Sequence, residues 1–150
     1  MDRFNRGLIA GVLASIPMNI WDLFAYHILN YSNLRYLDWG CIMLFGHLPT
    51  NLVQSLLGFA SQLMWVGFLG VIFSFLTPFI TSKTYLIKGA FFGFITGFII
   101  YAIPVVFGTK YLSTSSTGTT VTQIFGGLIW GISLAKILTI LNQKILLKVK

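Results

Sequence analysis

Asp22 is an acid in a run that is otherwise mostly apolar, and it has polar company at helical spacing. In "SIPMNIWDLFAYH" (15–27), Ser15, Asn19 and Tyr26 recur with it. At about 100° per residue, Gly11, Ser15, Asn19, Asp22 and Tyr26 share a helix stripe about 80° wide. A carboxylate in mid-span costs about 2.5–3.5 kcal/mol on insertion scales, so it should turn toward sister helices or water. Counting residues along each apolar run puts Gly58, Ser61, Tyr101, Pro104, Gly127 and Trp130 at the depth of Asp22. Ser61, Gln62 and Tyr101 fall at the depth of Asn19, one turn away. The expected polar layer is therefore Ser15, Asn19, Asp22, Tyr26, Ser61, Gln62 and Tyr101.

No lysine or arginine of the spans reaches that depth, since Lys136 lies toward the other end of its run. An intramembrane acid with hydrogen-bond partners and no counter-ion suits proton or cation movement. The alternative is a neutral acid that ties helices together through Asn19 and Tyr101. Pro17 and Pro104 each remove a backbone hydrogen bond near this layer and can kink their helices.

Other chemistry finds little support. Arg35, Asp38, Cys41 and His47 gather in one connection, with His27 just before it. Yet Asp38, Cys41 and His47 would point in different directions on a helix, and no His-x-x-His or Cys-x-x-Cys spacing exists. An Arg35–Asp38 surface pair is the plainer reading. There is no H-E-x-x-H, no G-x-S-x-G and no P-loop, so no enzyme, metal or cofactor is expected. Asn51-x-x-Gln54 and Thr120-x-x-Gln123 match capping boxes, which assigns both glutamines to helix starts.

The elements that must position these residues are membrane helices. Of the 150 residues 56% are hydrophobic and 9% charged, and mean hydropathy is +0.85. Soluble domains carry about 25% charged residues, so this chain cannot cover a water-facing surface. Four runs reach the length of a span: 7–29, 51–77, 85–107 and 121–141. Pro78 with Thr81, Ser82 and Lys83 ends the second, and the polar stretch 108–120 precedes the fourth. The segment 34–48 is too short to cross. Its Tyr36, Trp39 and Phe45 predict a helix at the headgroup level, a re-entrant segment being the alternative.

The net charge of +7 comes from basic residues spread singly, which form no nucleic-acid track. Arg3, Arg6, Lys83, Lys88, Lys144, Lys148 and Lys150 fall on one side, with Lys136 able to snorkel to it; Arg35 and Lys110 fall on the other. By the positive-inside rule both termini are cytoplasmic. Arg3 and Arg6 precede an apolar run with no cleavage site, which reads as an uncleaved helix. The single cysteine, Cys41, excludes an intramolecular disulfide.

Small residues are the clearest packing signal. Gly89, Gly93 and Gly97 share one face of the third span, as do Gly127, Gly131 and Ala135 of the fourth, and such faces let membrane helices approach closely. "RGLIAGVLAS" and "KGAFFGFITG" open the first and third spans alike, and "NLVQSLLG" and "TVTQIFGG" the second and fourth. Two hairpins related by duplication would produce this pattern.

With "KGAFFGFITGFIIYAIPVVFG", the Ser/Thr-rich connection and "QIFGGLIWGISLA", the layout resembles the YqhR-type family of small four-span membrane proteins of spore-forming bacteria. The likeness covers roughly the last hundred residues through topology and glycine placement. It implies the fold but carries over no functional residues, and Asn19 and Asp22 have no counterpart in it. The expectation is an all-α, polytopic four-helix bundle in the bacterial inner membrane, lipid-embedded, with a homo-oligomer or another membrane protein as partner. Its expected role is a small transporter or channel-like protein. The alternative is a non-catalytic subunit or scaffold that docks through its glycine faces.

Overall fold

Asp2 starts the first helix earlier than hydropathy predicts. Its carboxylate accepts the Asn5 N–H at 2.8 Å, and α1 runs Arg3–His27, straight through Pro17. The computed structural model describes residues 1–79, 84–108, 112 and 115–146. Lys83, Lys110, Lys148 and Lys150, together with Thr81, Ser82 and much of the polar connection 108–120, lie outside the described residues. After α1 come α2 (Tyr36–Phe45), α3 (Leu52–Leu76) with a short 3-10 turn (Thr77–Phe79), α4 (Tyr85–Val106) and α5 (Thr117–Leu146). The described residues are all helix and connection, and α1, α3, α4 and α5 are long and apolar enough to cross a membrane.

The caps show where sequence rules hold. Asn51 accepts the Gln54 N–H at 2.9 Å, and the Gln54 side chain reaches back to the Thr50 N–H, so this capping arrangement forms one residue out of register. The box expected at Thr120 does not form. Ser116 starts α5, its hydroxyl accepting the Thr119 N–H, which places Thr120 and Gln123 inside the helix.

The base of the bundle carries the starts of α1 and α4 and the ends of α3 and α5. α1 is central and packs on α3 and α5, α4 packs on α5, and α2 packs on α3. Both antiparallel pairs cross at double glycine contacts. A methyl group on Gly11 would overlap the Val66 carbonyl oxygen and crowd Gly67 and Gly70; one on Gly93 would overlap the Gly127 carbonyl and crowd Gly131. Backbones thus approach where no side chain intervenes, as the small-residue faces predict. Gly89, Gly93, Gly127, Gly131 and Ala135 all take part, with Ala135 beside Gly89. Gly97 is the exception: nothing lies within 4 Å of where its Cβ would be. Gly58, which the repeat pairs with Gly127, packs against Gly40 of α2 instead of α1.

The lower half is an apolar core of Ala10, Ala14, Met18, Val66, Leu69, Phe73, Trp130, Leu134, Ala135 and Leu138. There α3 meets α4 through Phe73, whose ring lies 5.9 Å from Tyr85 and 5.1 Å from Phe92. In the upper half α2 fills the space beside them. Trp39 and Ile42 pack with Leu34, Leu112, Ile100 and Tyr101, and the Trp39 and Tyr101 rings are 5.1 Å apart.

The connection after α1 turns back into the bundle. Tyr31 N–H donates to the Ala25 carbonyl, Asn33 N–H to the Thr119 hydroxyl, and Tyr36 N–H to Asp22. From there α2 climbs antiparallel to α3, with Gly40 on Gly58 and the Cys41 thiol donating to the Gln54 carbonyl. Gly46, at φ 74°, ends the helix in the left-handed region. Within the segment 34–48 the helix therefore covers Tyr36–Phe45 and packs along α3. Asp38, Trp39, Gly40, Cys41 and Ile42 are buried, and only the last turn of α2 is exposed.

Candidate functional site

Arg35 stands at the position before α2 where Ser, Thr, Asp or Asn normally accepts a free backbone N–H. A guanidinium has no acceptor, so the helix must find its caps elsewhere. Asp38 turns back and accepts the Arg35 N–H at 2.8 Å. Asp22, from α1, accepts the Tyr36 N–H at 2.8 Å. Asp22 is 1% exposed, and its carboxylate sits at the positive end of the α2 dipole. The carboxylate is there to receive a second helix, an arrangement that α1 by itself does not reveal.

α2 also brings a cation. Arg35 bonds Asp38 twice, at 2.8 and 3.1 Å, and its guanidinium lies 5.0 Å over the Tyr26 ring. The Asp38 hydrogen bond foremost pushes the guanidinium above its ordinary value against the opposing effect of burial, with smaller electrostatic help from Asp38, Tyr26 and Asp22. Asp22 therefore does have a positive group within electrostatic reach, contrary to the sequence expectation, although that group is hydrogen-bonded to Asp38. Nor is the Arg35–Asp38 pair a surface one, since the Asp38 side chain is only 4% exposed.

One turn below, Asn19 donates to its own helix at Ser15 and accepts from Gln62 of α3 at 3.1 Å. The depth count foresaw this pair. Ser15 is buried but spends its hydroxyl on Val12 of α1. Tyr26 stacks edge-on with His27 under Arg35, and so belongs to the top rather than the layer. Ser61 is only half-buried. The Tyr101 hydroxyl lies beside the Ser115 and Thr120 side chains and within electrostatic reach of Asp22.

Residues that sequence reasoning missed complete the site. The Tyr36 hydroxyl donates to the Gln123 carbonyl at 2.9 Å, and it fits because Gly126 offers no side chain there. Trp21 crosses to the Thr122 carbonyl. In the upper half, six buried polar atoms have no hydrogen-bond partner among the described residues: Asp22 Oδ1, Gln62 Oε1, Trp39 Nε1, Gln123 Nε2, Thr122 Oγ1 and the Tyr101 hydroxyl. Two are acceptors, two are donors, and two hydroxyls can be either. Buried polar groups are nearly always satisfied, so such a balanced set suits water, a hydrated ion or a small polar solute. It does not suit an apolar ligand.

In the connection after α1, the Cys41 thiol donates to the Gln54 carbonyl and Asp38 pairs with Arg35. No family model, no curated protein and no solved structure matches the chain.

Proposed function

We propose that this chain is an integral protein of a bacterial inner membrane, with both termini cytoplasmic, and that it is a small transporter or channel-like protein. Its Asp22 site handles a proton or small cation. The observation that carries this reading is the buried set of donors and acceptors in the upper half, Asp22 among them, without a partner among the described residues. A purely structural tie would leave few such atoms, because each unsatisfied buried group costs about 1–3 kcal/mol. One Asp22 oxygen holds α2, and the other is buried with no hydrogen-bond partner among the described residues. The basic residues Arg3, Arg6, Lys88 and Lys144 at the base support the orientation.

The test uses the protein reconstituted in liposomes with a pH-sensitive dye and an imposed proton or sodium gradient. Asp22→Asn keeps an acceptor for Tyr36 while removing ionisation. At least a tenfold loss of flux is expected, as for removal of a group that carries the proton. Unchanged flux with an unchanged melting temperature would sink the proposal.

A non-catalytic membrane subunit is the second reading, and one observation favours it. α4 packs mainly on α5, with ring contacts to Phe73 and Trp39, and leaves Phe91, Phe94, Phe98 and Ile99 exposed and Gly97 open. The glycine faces first suggested for a partner are occupied within the chain, and this outer side of α4 is the face on which a partner or second copy would dock.

A further inference from the structure

The base of the bundle holds a cavity of mixed polar and apolar lining that the Asp22 site does not use. It has a volume of about 250 Å³ and lies where the first turns of α1, the end of α3, the start of α4 and the last turns of α5 converge. Arg3, Arg6, Ser74, Thr77, Tyr85 and Asn142 line it. Among the described residues neither arginine has a carboxylate partner, the one ion pair being Arg35–Asp38. The nearest acid, Asp2, is engaged as the cap of α1.

The arginines are held in place by the fold. Arg6 donates to the Asn142 side chain at 2.6 Å and to the Asp2 carbonyl at 3.2 Å, which fixes the guanidinium across α1 and α5. Arg3 lies 5.9 Å over the Phe75 ring, and its backbone carbonyl accepts from Ser74. Arginine offers five N–H donors in a planar fork, so each keeps donors to spare for an anion. A cavity this size is below the roughly 300–1,000 Å³ of pockets for drug-sized ligands. It suits a compact anionic group, and fork-like donors favour phosphate oxygens.

We infer that this cavity binds the phosphate headgroup of an anionic phospholipid at the inner face of the membrane. The inference rests on the membrane reading above, since a base at the headgroup level brings the cavity against lipid phosphates. Basic pockets between membrane helices on the cytoplasmic side take such headgroups by this chemistry. Soluble phosphate offers the same oxygens without the acyl chains that would lie along the exposed apolar helix faces.

The test is native mass spectrometry of the purified protein in neutral detergent, titrated with phosphatidylglycerol, phosphatidylcholine or inorganic phosphate. Phosphatidylglycerol should bind roughly tenfold or more tightly than phosphatidylcholine, as two basic groups at a headgroup imply. Arg3→Gln, which keeps the Arg6–Asn142 tie, should reduce the preference, and Arg3→Gln with Arg6→Gln should abolish it. Lys136→Gln, at an exposed residue outside the cavity, should leave it unchanged. Melting temperature in the same detergent confirms that the variants are folded; if the double variant unfolds, Arg3→Gln decides alone. The inference is overturned by equal binding of the two lipids, by a preference that survives in the folded arginine variants, or by one lost equally in Lys136→Gln. Displacement of the lipid by equimolar inorganic phosphate overturns the lipid assignment in favour of a soluble anion. None of these outcomes touches the membrane reading, which extraction by detergent but not by high salt tests separately.

Discussion

Asp22 shows how one side chain can tie two helices with one oxygen and leave the other without a hydrogen-bond partner among the described residues. Removing the carboxylate should strand the Tyr36 N–H inside the protein, a loss of about 1–3 kcal/mol. Asp22→Ala is thus expected to lower the melting temperature in detergent, whereas Asp22→Asn should melt close to the parent. Equal melting of Asp22→Ala and the parent would mean that the Tyr36 contact carries no weight. Trp130 makes a comparable tie lower down, its indole N–H donating to the Gly11 carbonyl at 3.0 Å. Trp130→Phe keeps most of the packing, so a loss of about 0.5–1.5 kcal/mol is expected for one hydrogen bond. Burial first, then the charge of Asp38, pushes the Cys41 thiol above its ordinary value, and the side chain is 0% exposed. A raised value leaves little thiolate at neutral pH, and thiolate is the reacting form. Cys41 should therefore resist a membrane-permeant maleimide in the native protein and react after denaturation in SDS; labelling at the rate of a free thiol would show α2 detached from α3.

Helices pair here by backbone contact, and this makes glycine positions unequal. Gly93 lies under the Gly127 backbone, and any side chain must push α4 off α5. Overpacking of this kind costs about 1–3 kcal/mol, so Gly93→Leu should lower the melting temperature clearly. Gly97→Ala, one turn on, meets nothing within 4 Å and is expected to melt within error of the parent. A loss at Gly97 as large as at Gly93 would mean that α4 carries a further contact on that side. At this scale much was legible. The number and order of the four long helices follow from hydropathy, and the Gly89–Gly93 and Gly127–Gly131 faces from their spacing. Boundaries were less so: Asp2 and Ser116 extended helices past the apolar runs, because a cap acts through hydrogen bonds that hydropathy does not register.

For the molecule as a whole, the architecture divides by depth. The lower half is closed by Phe73, Trp130 and the glycine crossings; the upper half is completed by a short helix that no span-length rule could place. Four helices are long and apolar enough to cross, and on the proposed reading both ends should report the same side. Reporter fusions at residue 1 and residue 150 are expected to read cytoplasmic, and opposite readings would break the four-span topology.

Apolar length, small-residue spacing and the isolation of an acid in a greasy run are local properties, and the amino-acid order alone determined them. It also aligned Asn19 with Gln62, since depth along a straight helix is simple counting. What only the tertiary structure decided is where the segment 34–48 goes, and with it the partners of Asp22. A ten-residue helix is too short to set its own depth. Its place was chosen by contacts distant in sequence: Gly40 on Gly58, Tyr36 against Gly126, and an uncapped helix start that found its acceptor on another helix.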